Sequence, residues 1–188
     1  MLDFFCSCAK QIAAGLLLAS LCGMAPALAD DTPYSKGMRA YGAKDFAAAR
    51  KEWAQSLAEG GPDEALNNLG FLYYHGLGGD ARPGKAVALW RKGAALAVSE
   101  SQLHLGQALE AGKGVDRNLV AAYAWYRCSV ATAGKLSRND RAEASIEKDA
   151  IAALAKLAAT MSAAEREAGG RFALTLIAKY SEPLSMVP

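Results

Sequence analysis

One segment of the sequence recurs at a distance of 36 residues, which restricts the chain to folds assembled from stacked units. Residues 68–79 align with residues 104–115 without a gap. Six positions agree in this register: Gly70 with Gly106, Gly76 with Gly112, Gly78 with Gly114, Ala86 with Ala122, Trp90 with Tyr126 and Arg91 with Arg127. Agreement at three glycines, one aromatic position and one arginine indicates a true repeat.

Each repeat is predicted to hold a pair of helices, A and B. Apolar residues recur at helical spacing through helix A, as Leu69, Leu72 and Tyr73 in one unit and Leu105, Ala108 and Leu109 in the next. The Gly-x-Gly that follows should stop helix A, because glycine adopts the left-handed conformation common at helix ends. Helix B is then predicted from Lys85 to about Ala97, and from Leu119 to about Ala133. Pro83 suits the first start and Asp116 is expected to cap the second.

Two glycines inside helix A predict a close packing contact. Gly70 and Gly106 would each cost up to about 1 kcal/mol relative to alanine. A packing reason is therefore expected for both, namely close approach of the backbone of helix B.

A shorter unit precedes these two. Gly37, Tyr41 and Trp53 resemble positions of a tetratricopeptide-type repeat, with a tight turn at residues 43–45 and no Gly-x-Gly insertion. The predicted units are residues 34–61, 63–98 and 99–135.

The repeat pattern resembles that of the Sel-1-like family. It is carried by Ala65-x-x-x-Leu69-Gly70-x-x-Tyr73-x-x-Gly76-x-Gly78, by Lys85-Ala86-x-x-Leu89-Trp90-Arg91-Lys92, and by Trp125-Tyr126-Arg127 in the second copy. The resemblance implies an all-α fold, an α/α superhelical solenoid of stacked antiparallel helix pairs across residues 34–135. It also implies a scaffold role, since family members serve as scaffolds for signalling, envelope and host-interaction complexes.

Residues 136–180 depart from the repeat and are predicted to be capping helices, because a solenoid needs elements that cover its exposed end. Their features are an apolar stripe (Ile146, Ala150, Ile151, Leu154, Leu157), a capping box from Ser162 to Glu165, and Gly169-Gly170, which should interrupt the last helix. A docking helix for a partner is the alternative. Residues 181–188 are interpreted as a tail.

The first 29 residues have the pattern of a secretory signal peptide. A short apolar run is followed by Ala27-Leu28-Ala29, which predicts cleavage after Ala29 and a periplasmic or secreted protein with no membrane span. The alternatives are an uncleaved membrane anchor and a lipidated Cys22. Cleavage would leave only Cys128, which is expected to be a buried filler, although an intermolecular disulfide remains open.

The sequence predicts no catalytic, metal or cofactor site. The net charge is +2 without a block of like charge, which disfavours nucleic acid and anionic membranes as partners. The two histidines, His75 and His104, differ in repeat position and have no ligand-spaced neighbours. Serine-nucleophile and phosphate-loop motifs are missing.

The favoured function is therefore an exported adaptor that holds an unknown protein or peptide on a concave face lined by the A helices. The predicted contact residues are Met38, Tyr41, Asn67, Phe71, Tyr74, Leu103, Gln107 and Glu110. Two alternatives stay open: a hydrolase acting on cell-wall or β-lactam-like substrates, and a structural envelope component. The hydrolase hypothesis comes from a cysteine-rich branch of the family, whereas Cys128 is alone here. The oligomeric state is not predicted.

Overall fold

The computed structural model describes residues 31–180, and the regular secondary structure in this range is entirely helical. The helices are α1 (Pro33–Gly42), α2 (Phe46–Ala58), α3 (Glu64–His75), α4 (Pro83–Ala95), α5 (Ser99–Ala111), α6 (Leu119–Leu136), α7 (Arg141–Ala158) and α8 (Ala163–Tyr180). The first six form three consecutive pairs, and each pair packs on the next. The predicted all-α helical repeat solenoid is confirmed. The predicted signal peptide and tail lie outside the described residues.

The helix ends follow the expected turn chemistry, with one exception. Gly76 and Gly112 end α3 and α5 in the left-handed conformation, with φ of 71° and 69°. Pro83 occupies the start of α4. The predicted cap at Asp116 is wrong, because the loop continues two residues further and Asn118 Oδ1 accepts from Ala121 N at 2.9 Å.

The glycines inside the A helices make room for aromatic rings of helix B, and Gly106 also makes room for its backbone. A Cβ at Gly70 would lie 2.6 Å from Nε1 of Trp90, and one at Gly106 would lie 2.6 Å from the ring of Tyr126. Gly37 faces the indole of Trp53 in the same way. Helix B therefore packs on helix A through a buried ring in every unit. The expected approach of the helix B backbone is found at Gly106, where a Cβ would lie 3.3 Å from the carbonyl oxygen of Ala122, whereas the atoms nearest Gly70 all belong to the Trp90 ring.

The Gly-x-Gly loops connect helices A and B of one unit and pack against the preceding unit. A Cβ at Gly78 would collide with the backbone of Phe46, and one at Gly114 with the backbone of Pro83. Phe46 and Pro83 begin α2 and α4, the B helices of the preceding units. Each loop thus rests on the start of the previous helix B.

Helices α7 and α8 both pack against α6. The capping box is present, since Ser162 N donates to Glu165 Oε2 at 2.8 Å and Glu165 N donates to Ser162 Oγ at 3.2 Å. The predicted interruption at Gly169-Gly170 is wrong, because α8 runs through both residues. A Cβ at Gly169 would lie 2.7 Å from the ring of Tyr123, so this glycine serves close packing against α6. In α7 the predicted apolar stripe is broader than the buried face, since Ile151 is 49% exposed.

Cys128, the one cysteine within residues 31–180, lies in the core. Cys128 is fully buried and unpaired, against Ala173 and Leu176 of α8. Burial raises the pKa of its thiol to about 12, so the thiolate is disfavoured.

Candidate protein-binding groove

Two neighbouring cavities lie along the face formed by α1, α3, α5 and α7. The first, of about 330 Å³, is lined by Met38, Tyr41, Trp53, Asn67, Asn68, Phe71 and Glu100. The second, of about 460 Å³, lies where α3, α5 and α7 begin. The two cavities share Met38, Asn68 and Glu100. We call them together the helix-A groove.

The first cavity is the apolar end of the groove. Met38 and Tyr41 of α1 are 47% and 38% exposed, and Phe71 of α3 is half-buried. The Tyr41 ring lies against Phe46 and Trp53, with ring centroids 5.5 and 5.7 Å away. Exposed apolar side chains beside a cavity can bury area against a partner.

Asn67 forms a buried polar junction beneath this end. Its Nδ2 donates to Glu100 Oε2 at 2.7 Å, and its Oδ1 accepts from His104 Nδ1 at 2.8 Å. Its carbonyl oxygen accepts from Nε1 of Trp90 at 3.3 Å. Because Asn67 is only 3% exposed and these groups are engaged, it positions its neighbours rather than offering an amide to a partner.

His104 is mostly buried and neutral. Its ring stacks on Trp90 and lies beside Phe71, at centroid distances of 5.0 and 5.8 Å. Burial, and secondarily the charge of His75, lower its pKa to about 4. His75 contacts the same Phe71 ring, at 4.4 Å. The two histidines therefore share Phe71 as a neighbour although their repeat positions differ.

The second cavity is the acidic end of the groove. Five carboxylates line it: Asp63, Glu64, Glu100, Asp140 and Glu143. Burial raises the pKa of Glu100, and the charges of Glu143 and Asp149 raise it further. The pKa of Glu143 is also raised, chiefly by burial, although Ser99 Oγ donates to its Oε2 at 2.7 Å.

The predicted contact residues divide into two groups. Met38, Tyr41, Asn67 and Phe71 meet in the first cavity, whereas the other four lie outside both cavities. Of those four, Leu103 belongs to the core at 5% exposure, which contradicts its placement on a binding surface.

The remaining three lie further along the same helices. Gln107 is exposed, and Glu110 Oε2 accepts from the Tyr126 hydroxyl at 2.7 Å. Tyr74 packs on Trp90 at 5.0 Å, with Lys113 over its ring at 4.2 Å.

Sequence reasoning missed the acidic end. A signal for it was present, because Glu64 and Glu100 are 36 residues apart and so occupy the same repeat position. In contrast, the approach of Glu143 from α7 has no counterpart in the repeat register.

Two features are absent between residues 31 and 180. That range contains no group of three His, Cys, Asp or Glu side chains arranged to hold a metal ion. It also contains no helix with the length and apolar character needed to cross a membrane.

Comparisons with known proteins agree with this architecture. The Sel1 repeat family model matches residues 63–98 and 99–131. A solved protective antigen from uropathogenic Escherichia coli strains, which displays an SLR fold, is similar with a TM-score of 0.68 and 19% identity, over 80% of this chain and 31% of that one. A Sel1 repeat protein from Oxalobacter formigenes is similar with a TM-score of 0.50 and 29% identity, over 53% of this chain and 41% of that one. The chain thus spans less than half the length of either structure, and no curated protein matches it. The chain therefore contains two Sel1 repeats, at residues 63–98 and 99–131, within an all-α helical repeat solenoid.

Proposed function

We propose that the protein is an adaptor or scaffold that binds a segment of a partner protein in the helix-A groove. The observation that carries this proposal is the first cavity, where exposed apolar side chains of α1 meet Phe71 of α3 and Glu100 of α5. Proteins built from Sel1 repeats are generally protein–protein interaction scaffolds, typically without catalytic activity.

The wall of the groove is held rigid. Asn67 ties Glu100, His104 and Trp90 together by hydrogen bonds, and the His104 ring is stacked on the indole. A pre-organised wall loses little conformational entropy when a partner binds, so more of the contact energy appears as affinity.

Export is part of the proposal. We take residues 1–29 as a signal peptide, residues 34–61, 63–98 and 99–135 as the repeat units, and residues 136–180 as the cap of the stack. The test of export is N-terminal sequencing of the chain recovered outside the cytoplasm, which should begin at Asp30. A chain that retains its first residues, or that carries lipid at Cys22, would contradict cleavage after Ala29.

The binding surface can be tested by site-specific photo-crosslinking in cells. A photoreactive phenylalanine analogue is placed at Met38 or Tyr41, which are exposed on α1 and line the first cavity. The matched controls carry it at Lys51 or Arg91, which are exposed on B helices. We expect an adduct of defined mass from the groove positions and none from the controls.

A second substitution in the groove checks the result. Tyr41→Ser should remove the adduct formed at Met38 while leaving the helical circular dichroism unchanged. Adducts only from the helix B positions would overturn the proposed surface.

A further inference from the structure

The helix-A groove changes chemical character along its length. Its apolar end is built from Met38, Tyr41 and Phe71, and its acidic end holds five carboxylates. No lysine or arginine lines either of these two cavities. A partner that fills both ends therefore needs an apolar group and a cationic group close together.

The helix N-termini favour these acidic residues but do not remove the repulsion between them. Glu64, Glu100 and Glu143 lie in the first turns of α3, α5 and α7, where a helix dipole favours negative charge. Burial and mutual repulsion nevertheless raise the pKa of Glu100 and Glu143. Within residues 31–180 neither carboxylate forms an ion pair with a lysine or arginine. An outside cation would relieve this repulsion.

An unused hydrogen-bond donor lies at the apolar end. Trp53 lines the first cavity and is 2% exposed, and its indole N–H has no acceptor. Its counterpart in the next unit, Trp90, donates to the carbonyl of Asn67. The Trp53 Nε1 packs against α1, where a Cβ at Gly37 would lie 2.4 Å from it. Trp53 therefore contributes its ring, beside that of Tyr41, to the apolar wall of the groove.

We propose that the occupant of the groove is a partner segment in which a lysine or arginine stands beside an apolar residue. The apolar side chain packs between Met38 and Phe71, and the cationic group lies between Glu100 and Glu143. Because both cavities share Met38 and Glu100, the two side chains lie close together in the partner sequence. This inference rests on the proposed function and adds the chemistry of the partner.

The test begins with a random dodecapeptide display library selected on the full chain. Selected sequences should be enriched in lysine or arginine next to a leucine, methionine or aromatic residue. One selected peptide is then labelled and titrated by fluorescence anisotropy, alongside a version with norleucine in place of its basic residue. We expect the norleucine version to bind at least tenfold more weakly.

The protein variant is Glu100→Gln with Glu143→Gln. Each glutamine keeps an oxygen that can accept the existing hydrogen bond, from Asn67 and from Ser99 respectively. The matched control is Glu52→Gln on α2 with Glu59→Gln at the residue that caps its C-terminus. The groove variant should lose at least tenfold in affinity for the basic peptide, with no loss for the norleucine peptide, whereas the control should bind like wild type. Raising the salt concentration on wild type should weaken binding of the basic peptide, which keeps the test valid if the double variant fails to fold.

The outcomes separate the two proposals. Selected peptides that are neutral or acidic, and that lose affinity with Met38→Ser but not with the double glutamine variant, would overturn this inference and leave the groove function standing. Peptides whose binding responds to neither variant would overturn the groove function itself. A chain that is a dimer through this groove, dissociated by Met38→Ser, would make a second copy the occupant and also overturn the inference.

Discussion

Acidification should destabilise this protein through one largely buried histidine, His104. His104 is enclosed between Phe71 and Trp90, and its Nδ1 donates to Asn67. The neutral ring fits this site, whereas a protonated ring would have to lose its hydration there. Replacing His104 by asparagine keeps an N–H donor near the position of Nδ1 and removes the titration.

The size of the effect follows from the lowered pKa. A histidine has a pKa of 6.5 in the unfolded chain and of about 4 here, which corresponds to about 3 kcal/mol. Between these two values the unfolded chain binds more protons than the folded chain. The free energy of unfolding contributed by this site therefore falls as the pH drops from 6.5 to 4, and the loss is complete below 4.

The assay is urea unfolding followed by circular dichroism at several pH values from 7 to 4. At pH 7 wild type should be more stable than His104→Asn, because asparagine loses the stacking on Trp90. This difference should shrink by about 3 kcal/mol by pH 4. Comparing the two proteins cancels the titration of the shared carboxylates. His75→Asn is the control and should change the pH dependence much less, because that ring is exposed.

A difference between wild type and His104→Asn that stays constant over this pH range would refute the reasoning. So would an NMR titration in which the His104 ring protonates near its ordinary pKa. Either result would mean that the ring is hydrated or that its site opens readily.

Three further predictions concern packing and capping. Gly169→Ala should lower the free energy of unfolding by about 1–3 kcal/mol, because its Cβ would meet the Tyr123 ring. Gly170→Ala should be neutral or stabilising, because its Cβ would meet only the flexible end of Arg127. Chemical denaturation of the two variants measures this difference. Cys128 should react with a thiol reagent only at the rate of unfolding, and rapid labelling of the native protein would contradict its burial. Ser162→Ala should cost about 1 kcal/mol in the same unfolding assay, and no change would show that the capping box contributes little.

The fold could be predicted from the sequence because its decisive residues recur. The glycine that ends helix A, and the glycine and aromatic residue that meet between helices A and B, each return after 36 residues, as Gly70 and Trp90 do in Gly106 and Tyr126. Because these residues recur, their positions can be distinguished from chance similarities in the sequence. Gly169-Gly170 has no second copy, and its helix-breaking tendency is overridden by packing on Tyr123, so local propensity gave the wrong answer there.

The groove could be predicted only in part. Met38, Tyr41 and Phe71 follow from helix periodicity, which places them on one face. Periodicity does not indicate how deeply a side chain is buried, so it predicts a surface position for both Leu103 and Asn67, which are 5% and 3% exposed. The hydrogen bonds of Asn67 to Glu100 and His104 depend on the distance between neighbouring repeats, which one sequence does not specify.

The contacts of the glycine loops make the stack of repeats directional, because each loop packs on the preceding unit. The loops at Gly78 and Gly114 each pack on the start of helix B in the preceding unit. The first unit has no predecessor among the described residues, and a short turn joins its two helices instead. At the other end, Gly169 of α8 comes within contact distance of the carbonyl of Val120, near the start of α6, where a following loop would sit. If a copy of residues 99–135 were inserted directly after the original, its glycine loop would contact the start of α6. The second helix of the copy would then present the same contact surface to α8. The length of such a protein can change by whole modules while both ends stay as they are.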